Sequence, residues 1–151
     1  MPDRKVVSAV VLDDLFDILA VESAKDNRLG LPGGKVEPGE RPSVAVKREV
    51  TLEETGVGLI LDSVLGRYIS TSRRGNKIVN IAFLAHAGRG RYLAPALHES
   101  NAEIEGIYWL SFDEAAGLKN DSVRTNDFKS IIRDARDRLN GKLSEPVIRY
   151  L

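Results

Sequence analysis

Hydrophobic and polar positions alternate along this chain in short blocks whose period changes several times. Residues 6–12 read Val-Val-Ser-Ala-Val-Val-Leu and stop at Asp13-Asp14, the pattern of a strand followed by a turn. Residues 17–21 repeat it on a shorter scale, so the two segments predict a hairpin. Glycine then takes over: Leu29-Gly30-Leu31-Pro32-Gly33-Gly34 predicts a loop with unusual backbone freedom, and Glu37-Pro38-Gly39-Glu40 predicts a turn. Over residues 41–55 the period becomes helical. Pro42 suits a first turn, Val44, Ala45, Arg48 and Leu52 fall at i, i+1, i+4 and i+8, and Gly56 supplies the stop. Residues 59–71 and 77–87 predict two strands joined by the hairpin loop Ser72-Arg73-Arg74-Gly75-Asn76. Residues 88–101 are irregular and polar, 104–110 predict another strand, and Ser111 can cap a short helix through Ala115-Ala116. In residues 126–140, Phe128, Ile131, Ile132, Ala135 and Leu139 recur at helical spacing, with Gly141 as the stop. The order β-β-loop-α-β-β-β-α-α predicts an α+β fold, a mixed sheet with helices packed on it.

Composition narrows the functional classes. The chain has 151 residues and no internal linker, so residues 1–151 are expected to form a single domain. Basic and acidic residues number 22 each, giving a formal net charge of zero. That balance argues against a polyanion-binding surface spread over the whole molecule and leaves room for a local basic pocket; no nucleic-acid partner is expected. Cysteine is absent, which excludes disulfides, thiolate metal sites and a thiol nucleophile. The apolar run after Met1-Pro2-Asp3-Arg4-Lys5 is too short for a signal peptide or a membrane span. The expectation is a cytoplasmic protein with no membrane partner.

The chemistry is concentrated in residues 33–57. Glu49, Glu53 and Glu54 all lie in the C-terminal half of one predicted helix, where acidic groups oppose the macrodipole. Glu49 and Glu53 are four apart, so they share a face and repel each other. Such an arrangement suggests a cation between them, and hard carboxylate oxygens suit Mg²⁺, with Mn²⁺ as the alternative. The glycine loop ahead of the helix can add a backbone carbonyl, and Arg48 is the internal counter-charge for Glu40 or Glu49.

This stretch resembles the Nudix box, G-x5-E-x7-R-E-U-x-E-E-x-G-U, where U is a bulky aliphatic residue. Gly34, Glu40 and Arg48-Glu49 fit at the required spacings, and Glu53-Glu54-Thr55-Gly56-Val57 fits the close. The resemblance extends to Leu31-Pro32 before the glycines and to Ile107-Tyr108-Trp109-Leu110 followed by Ser111-Phe112-Asp113-Glu114. It implies a Nudix-like mixed β-sheet sandwiched between helices and the hydrolysis of a pyrophosphate bond in a nucleoside diphosphate derivative. Gly34, Glu49, Glu53 and Glu54 would then hold Mg²⁺, with Glu49 a ligand or the base for the attacking water. Arg48 would orient a glutamate. A further carboxylate, Glu103 or Glu105 with Glu99 behind them, would come from outside the box.

One departure stands out. The family has two residues between Arg-Glu and Glu-Glu, and this chain has three, Val50-Thr51-Leu52. Either a π-bulge absorbs the extra residue and returns all three glutamates to the metal, or the helix stays regular and Glu54 turns away. The second outcome leaves open a catalytically weak nucleotide-binding sensor or interaction module. Substrate signatures are sparse: Ser70-Thr71-Ser72-Arg73-Arg74 holds neither the proline nor the tyrosine that marks family subgroups. The coenzyme A signature is also missing, which leaves a nucleoside triphosphate or modified nucleotide as the favoured substrate.

Other residues read more simply. Trp109 is expected in the core rather than stacked on a base, and His86 and His98 are given no role. Arg133, Arg136 and Arg138 are expected on a solvated face. Residues 59–71 offer a long strand for a homodimer.

Overall fold

The computed structural model describes residues 3–88 and 104–151. In chain order the elements are β1 (Arg4–Leu12), β2 (Ile18–Ser23), β3 (Leu29–Gly30), β4 (Gly33–Lys35), α1 (Pro42–Lys47) and a π-helical segment (Arg48–Thr55). There follow β5 (Leu59–Thr71), β6 (Lys77–Ala87), β7 (Ile104–Leu110), α2 (Phe112–Ala116), a 3₁₀ turn (Asn120–Ser122), α3 (Phe128–Leu139) and β8 (Val147–Tyr150). Among the described residues, no helix is long and apolar enough to cross a membrane.

Among the described residues, all eight strands belong to one mixed sheet. β1 runs parallel to β6 from Arg4 opposite Ile78 to Leu12 opposite His86, and β5 and β6 form the expected antiparallel hairpin. The β1 sequence is a nearly unbroken apolar run because both of its faces are covered. Val7, Ala9 and Val11 face one core with Leu19, Ala45, Val46, Val50 and Val57. Val10 and Leu12 face the other, with Ile18, Leu65, Phe128, Ile131, Ile132 and Ala135. The sheet is thus sandwiched: α1 and the π segment cover one face, and α3 covers the other.

The predicted turn between β1 and β2 forms, with the Asp13 carboxylate accepting the N–H groups of Leu15 and Asp17. The hairpin itself does not continue. The two strands pair only at Leu12 and Ile18; β1 then pairs with β4, and β2 with β3 and β7. β3 and β4 come from the glycine-rich stretch read as a loop, and only the tertiary pairing makes them strands.

Three further expectations are corrected. β8 follows the helix read as the last element, pairing in parallel with β5 from Gly66 opposite Val147 to Ile69 opposite Tyr150. It covers part of the edge of β5, the long strand that the sequence offered for a homodimer. Arg149 on β8 and Tyr68 on β5 both donate to the buried Asp134 of α3, which explains why so short a strand is held. Leu139 closes the apolar stripe of α3 but is exposed, because the helix runs past the core. Arg136 and Arg138 are not simply solvated: Arg136 donates to Asp113 at 2.7 Å and lies over the Phe112 ring, and Arg138 donates to Ser63 at 3.0 Å.

Candidate active site

The site is built where β4 is pressed between β1 and the π segment. Gly33 pairs with Ser8 and Gly34 with Val7. A Cβ on Gly33 would strike the Val7 carbonyl, and one on Gly34 would strike the Glu49 carboxylate. Glycine is required at both positions by close approach.

The helix that begins at Pro42 does not stay regular. From Arg48 to Thr55 it widens to π geometry, in which each N–H reaches back five residues; Gly56 donates to the Thr51 carbonyl at 3.0 Å and takes a left-handed φ of 76°. Glu49 and Glu54, five apart in sequence, therefore stand one hydrogen-bonded turn apart, as residues four apart do in an α-helix. Glu49 lies against Gly34, and the buried Glu54 accepts the Gly33 N–H at 2.7 Å. The extra residue is absorbed by the wide turn, and the regular-helix alternative does not occur.

Arg48 is the hub of the carboxylate cluster. It grips Glu40 bidentately at 2.8 and 3.0 Å, donates to Glu49 at 3.0 Å and Glu53 at 2.7 Å, and reaches the Lys35 carbonyl at 3.0 Å. The Arg48 guanidinium, helped by the Glu37 N–H, holds the Glu40 carboxyl down to about 2. Arg48 is itself raised, chiefly by its bonds to Glu40. Glu49 moves the opposite way: burial and the neighbouring Glu53 push it up to about 7, against the pull of Arg48. This is a charged network organised by one arginine.

The donor set suits a hard divalent cation. Two crowded carboxylates carry a repulsion that such a cation relieves, and the missing side chain of Gly34 leaves its backbone open beside Glu49. Among the described residues, no three acidic or histidine side chains converge tightly enough to share one ion. Glu105 is exposed on β7 and has no described contact with the cluster, while Glu103, Glu99 and His98 lie outside the described residues.

On the opposite side of the glycine wall is a cavity of about 300 Å³ that sequence reasoning missed. Gly33 and Gly34 line it, as do Arg4, Arg124, Ser8, Asn80, Thr125 and Asp127. Its polar floor is ordered: Ser8 donates to Asn80 at 3.0 Å, Asn80 to Asp127 at 2.9 Å, and Thr125 to Asp127 at 2.6 Å. A signal existed in the sequence, since Ser8 and Asn80 are the polar residues inside otherwise apolar strand segments, Val-Val-Ser-Ala-Val and Ile-Val-Asn-Ile-Ala. Trp109 packs partly buried against the core under α1, and His86 pairs with Asp62 away from the glutamates.

Comparison with known proteins identifies the family and the fold. The NUDIX domain family matches residues 2–131. A MutT-like protein of Streptomyces ambofaciens is 32% identical over 110 residues, covering 73% of this chain and 65% of that protein. The chain thus spans slightly less than two thirds of that relative. A putative 8-oxo-dGTP diphosphatase of Bacillus subtilis (strain 168) is 29% identical over 127 residues, covering 83% of this chain and 79% of that one. Among solved structures, a NUDIX hydrolase from Nitrosomonas europaea superposes with a TM-score of 0.77 at 28% identity, covering 93% of this chain and 91% of the other. With the family matched over most of its length and the box folded against the glycine wall, the chain belongs to the Nudix hydrolase family.

Proposed function

We propose that this protein hydrolyses a pyrophosphate bond in a nucleoside diphosphate derivative, with a nucleoside triphosphate or modified nucleotide as the favoured substrate and Mg²⁺ as the metal. The observation that carries this reading is the glycine wall of Gly33 and Gly34. It separates a nucleoside-sized cavity from the carboxylates by the thickness of one strand, so a nucleotide in the cavity can extend its phosphates past the wall to the glutamates.

Glu49, Glu53 and Glu54, with the Gly34 carbonyl, would hold the divalent cation. When bound, it neutralises charge on the pyrophosphate and polarises the phosphorus towards attack. Water attacks phosphorus, its oxygen forming the new P–O bond as the bridging P–O bond breaks and the released phosphate leaves with the electron pair. Glu49 would take the proton of that water or add a ligand. Arg48 holds Glu40, Glu49 and Glu53 in place. Arg4 and Arg124, at the cavity lining, can meet phosphate oxygens.

The floor of the cavity bears on the base. Asp127 already receives hydrogen bonds from Asn80 and Thr125, so its remaining capacity is for accepting, which suits the N–H edge of a guanine-type base. The name of the Bacillus subtilis relative, putative 8-oxo-dGTP diphosphatase, supports the same class.

The test is a panel of nucleoside triphosphates, including oxidised guanine forms, nucleotide sugars and dinucleoside polyphosphates, assayed with Mg²⁺ for released phosphate and pyrophosphate. Turnover of a guanine-type triphosphate that is lost with EDTA and in Glu53→Gln is the expected result. Absence of turnover across the panel would overturn the reading.

A further inference from the structure

The wide turn that carries the glutamates is held from within by a side chain that belongs to no ligand set. Thr55 is fully buried. Its hydroxyl donates to the Val50 carbonyl at 2.7 Å, five residues back, and accepts the Val57 N–H at 3.0 Å. Thr51 ties the other polar group of the same residue, donating to the Val57 carbonyl at 2.7 Å. Val57 is itself buried in the core beneath α1. The two hydroxyls therefore clip the end of the π segment to a fixed point of the core. A threonine hydroxyl bonded back along a helix ordinarily reaches four residues and bends it; here the reach is five, matching the widened turn.

We propose that Thr55 is a positioning residue: its hydroxyl holds the π turn and thereby keeps Glu54 on the Gly33 N–H, and Glu53 and Glu54 in register with Glu49. This inference rests on the proposed hydrolase reading for its activity arm only. The physical ground is the extra residue of this chain. Closing the turn to α spacing would carry Glu54 off Gly33 and rotate Leu52, now exposed, towards the wall. Polar bonds oppose that closure, and Thr55 supplies two of them.

The test compares Thr55→Val, which keeps the shape and removes both bonds, with Thr55→Ser, which keeps the hydroxyl. Each is made in the wild-type chain and in a chain lacking Leu52, where Glu49 and Glu54 are four apart and an α-helix suffices. Three readouts are taken: Mn²⁺ affinity with no nucleotide present, hydrogen-exchange protection of the Gly33 amide, and kcat and KM on the substrate found by the panel. Thr55→Val should weaken Mn²⁺ binding and lower kcat by about 10- to 100-fold with KM little changed, the range typical of residues that orient metal ligands. The Gly33 amide should lose protection while those of Val10 and Leu19 keep theirs. Thr55→Ser should behave as wild type, and Thr55→Val should cost little in the chain lacking Leu52. Equal losses from Thr55→Val in both backgrounds would overturn the proposal, as would a lowered Tm with Mn²⁺ affinity and Gly33 protection intact. A chain lacking Leu52 that does not fold leaves the valine–serine comparison to decide in the wild-type background. If the panel finds no substrate, the hydrolase reading fails, and the Mn²⁺ and amide readouts still decide the role of Thr55.

Discussion

The π segment and α3 are both helical elements packed on the same sheet, and they are stabilised in different ways. α3 follows the regular period: Phe128, Ile131, Ile132 and Ala135 form one stripe that is buried up to its exposed last member, Leu139. Burial of that stripe, at roughly 25 cal/mol per Å² of apolar surface, holds it, together with the bonds of Tyr68 and Arg149 to Asp134. The π segment buries Val50 alone among its apolar side chains, exposes Leu52, and crowds Glu49 and Glu53 together. It keeps its shape through the arginine hub and the two threonine hydroxyls. The stable helix has no role in the carboxylate cluster, and the cluster sits on the helix that departs from the ideal.

The largest expected effect breaks the comparison on the π side. Glu49→Gln should lower kcat by roughly 10²- to 10⁴-fold if Glu49 takes the water proton, with no loss of Tm because the crowding of carboxylates is relieved. A variant that retains wild-type kcat would remove Glu49 from the proton route. On the other side, Ile132→Ala should destabilise the fold by about 2–5 kcal/mol in denaturant titration, leaving kcat of the folded fraction unchanged. A comparable fall in kcat would show that α3 is coupled to the glutamates after all.

A smaller effect sharpens the picture of α3. Burial pushes the Asp134 carboxyl up, but Arg149 and Tyr68 pull harder and leave it below its ordinary value. A depressed folded value means that the stabilisation is present above the unfolded value of about 3.9 and is lost as pH falls through the folded one. Asp134→Asn should cost roughly 3 kcal/mol at pH 7, towards the low end for a broken buried pair because the Arg149 head is partly exposed. It should also flatten the fall of Tm from about pH 4 downwards. An unchanged acid limb would mean that other carboxylates set it.

The sequence by itself determined the local elements and singled out the residues proposed to react. Strands 59–71, 77–87 and 104–110, the Ser111 cap and the stop at Gly56 depend on period, β-branching and short-range hydrogen bonds, which neighbours in sequence supply. The box likewise announced Gly34, Arg48, Glu49, Glu53 and Glu54, because its spacing is written in the chain. Tertiary structure decided what depended on distant partners. Gly33 and Gly34 became a strand only because β1 offered them an edge, and residues 147–150 did so only because Asp134 and β5 were waiting. The cavity floor joins Ser8, Asn80 and Asp127, which lie 72 and 47 positions apart in successive links. The register of Glu54 was the finest such decision. An α and a π turn differ by one residue per hydrogen-bonded ring, and local propensity does not choose between them. Here the choice accompanies a buried hydroxyl at Thr55 and an anchored Val57, contacts that exist only once the helix is laid against the core.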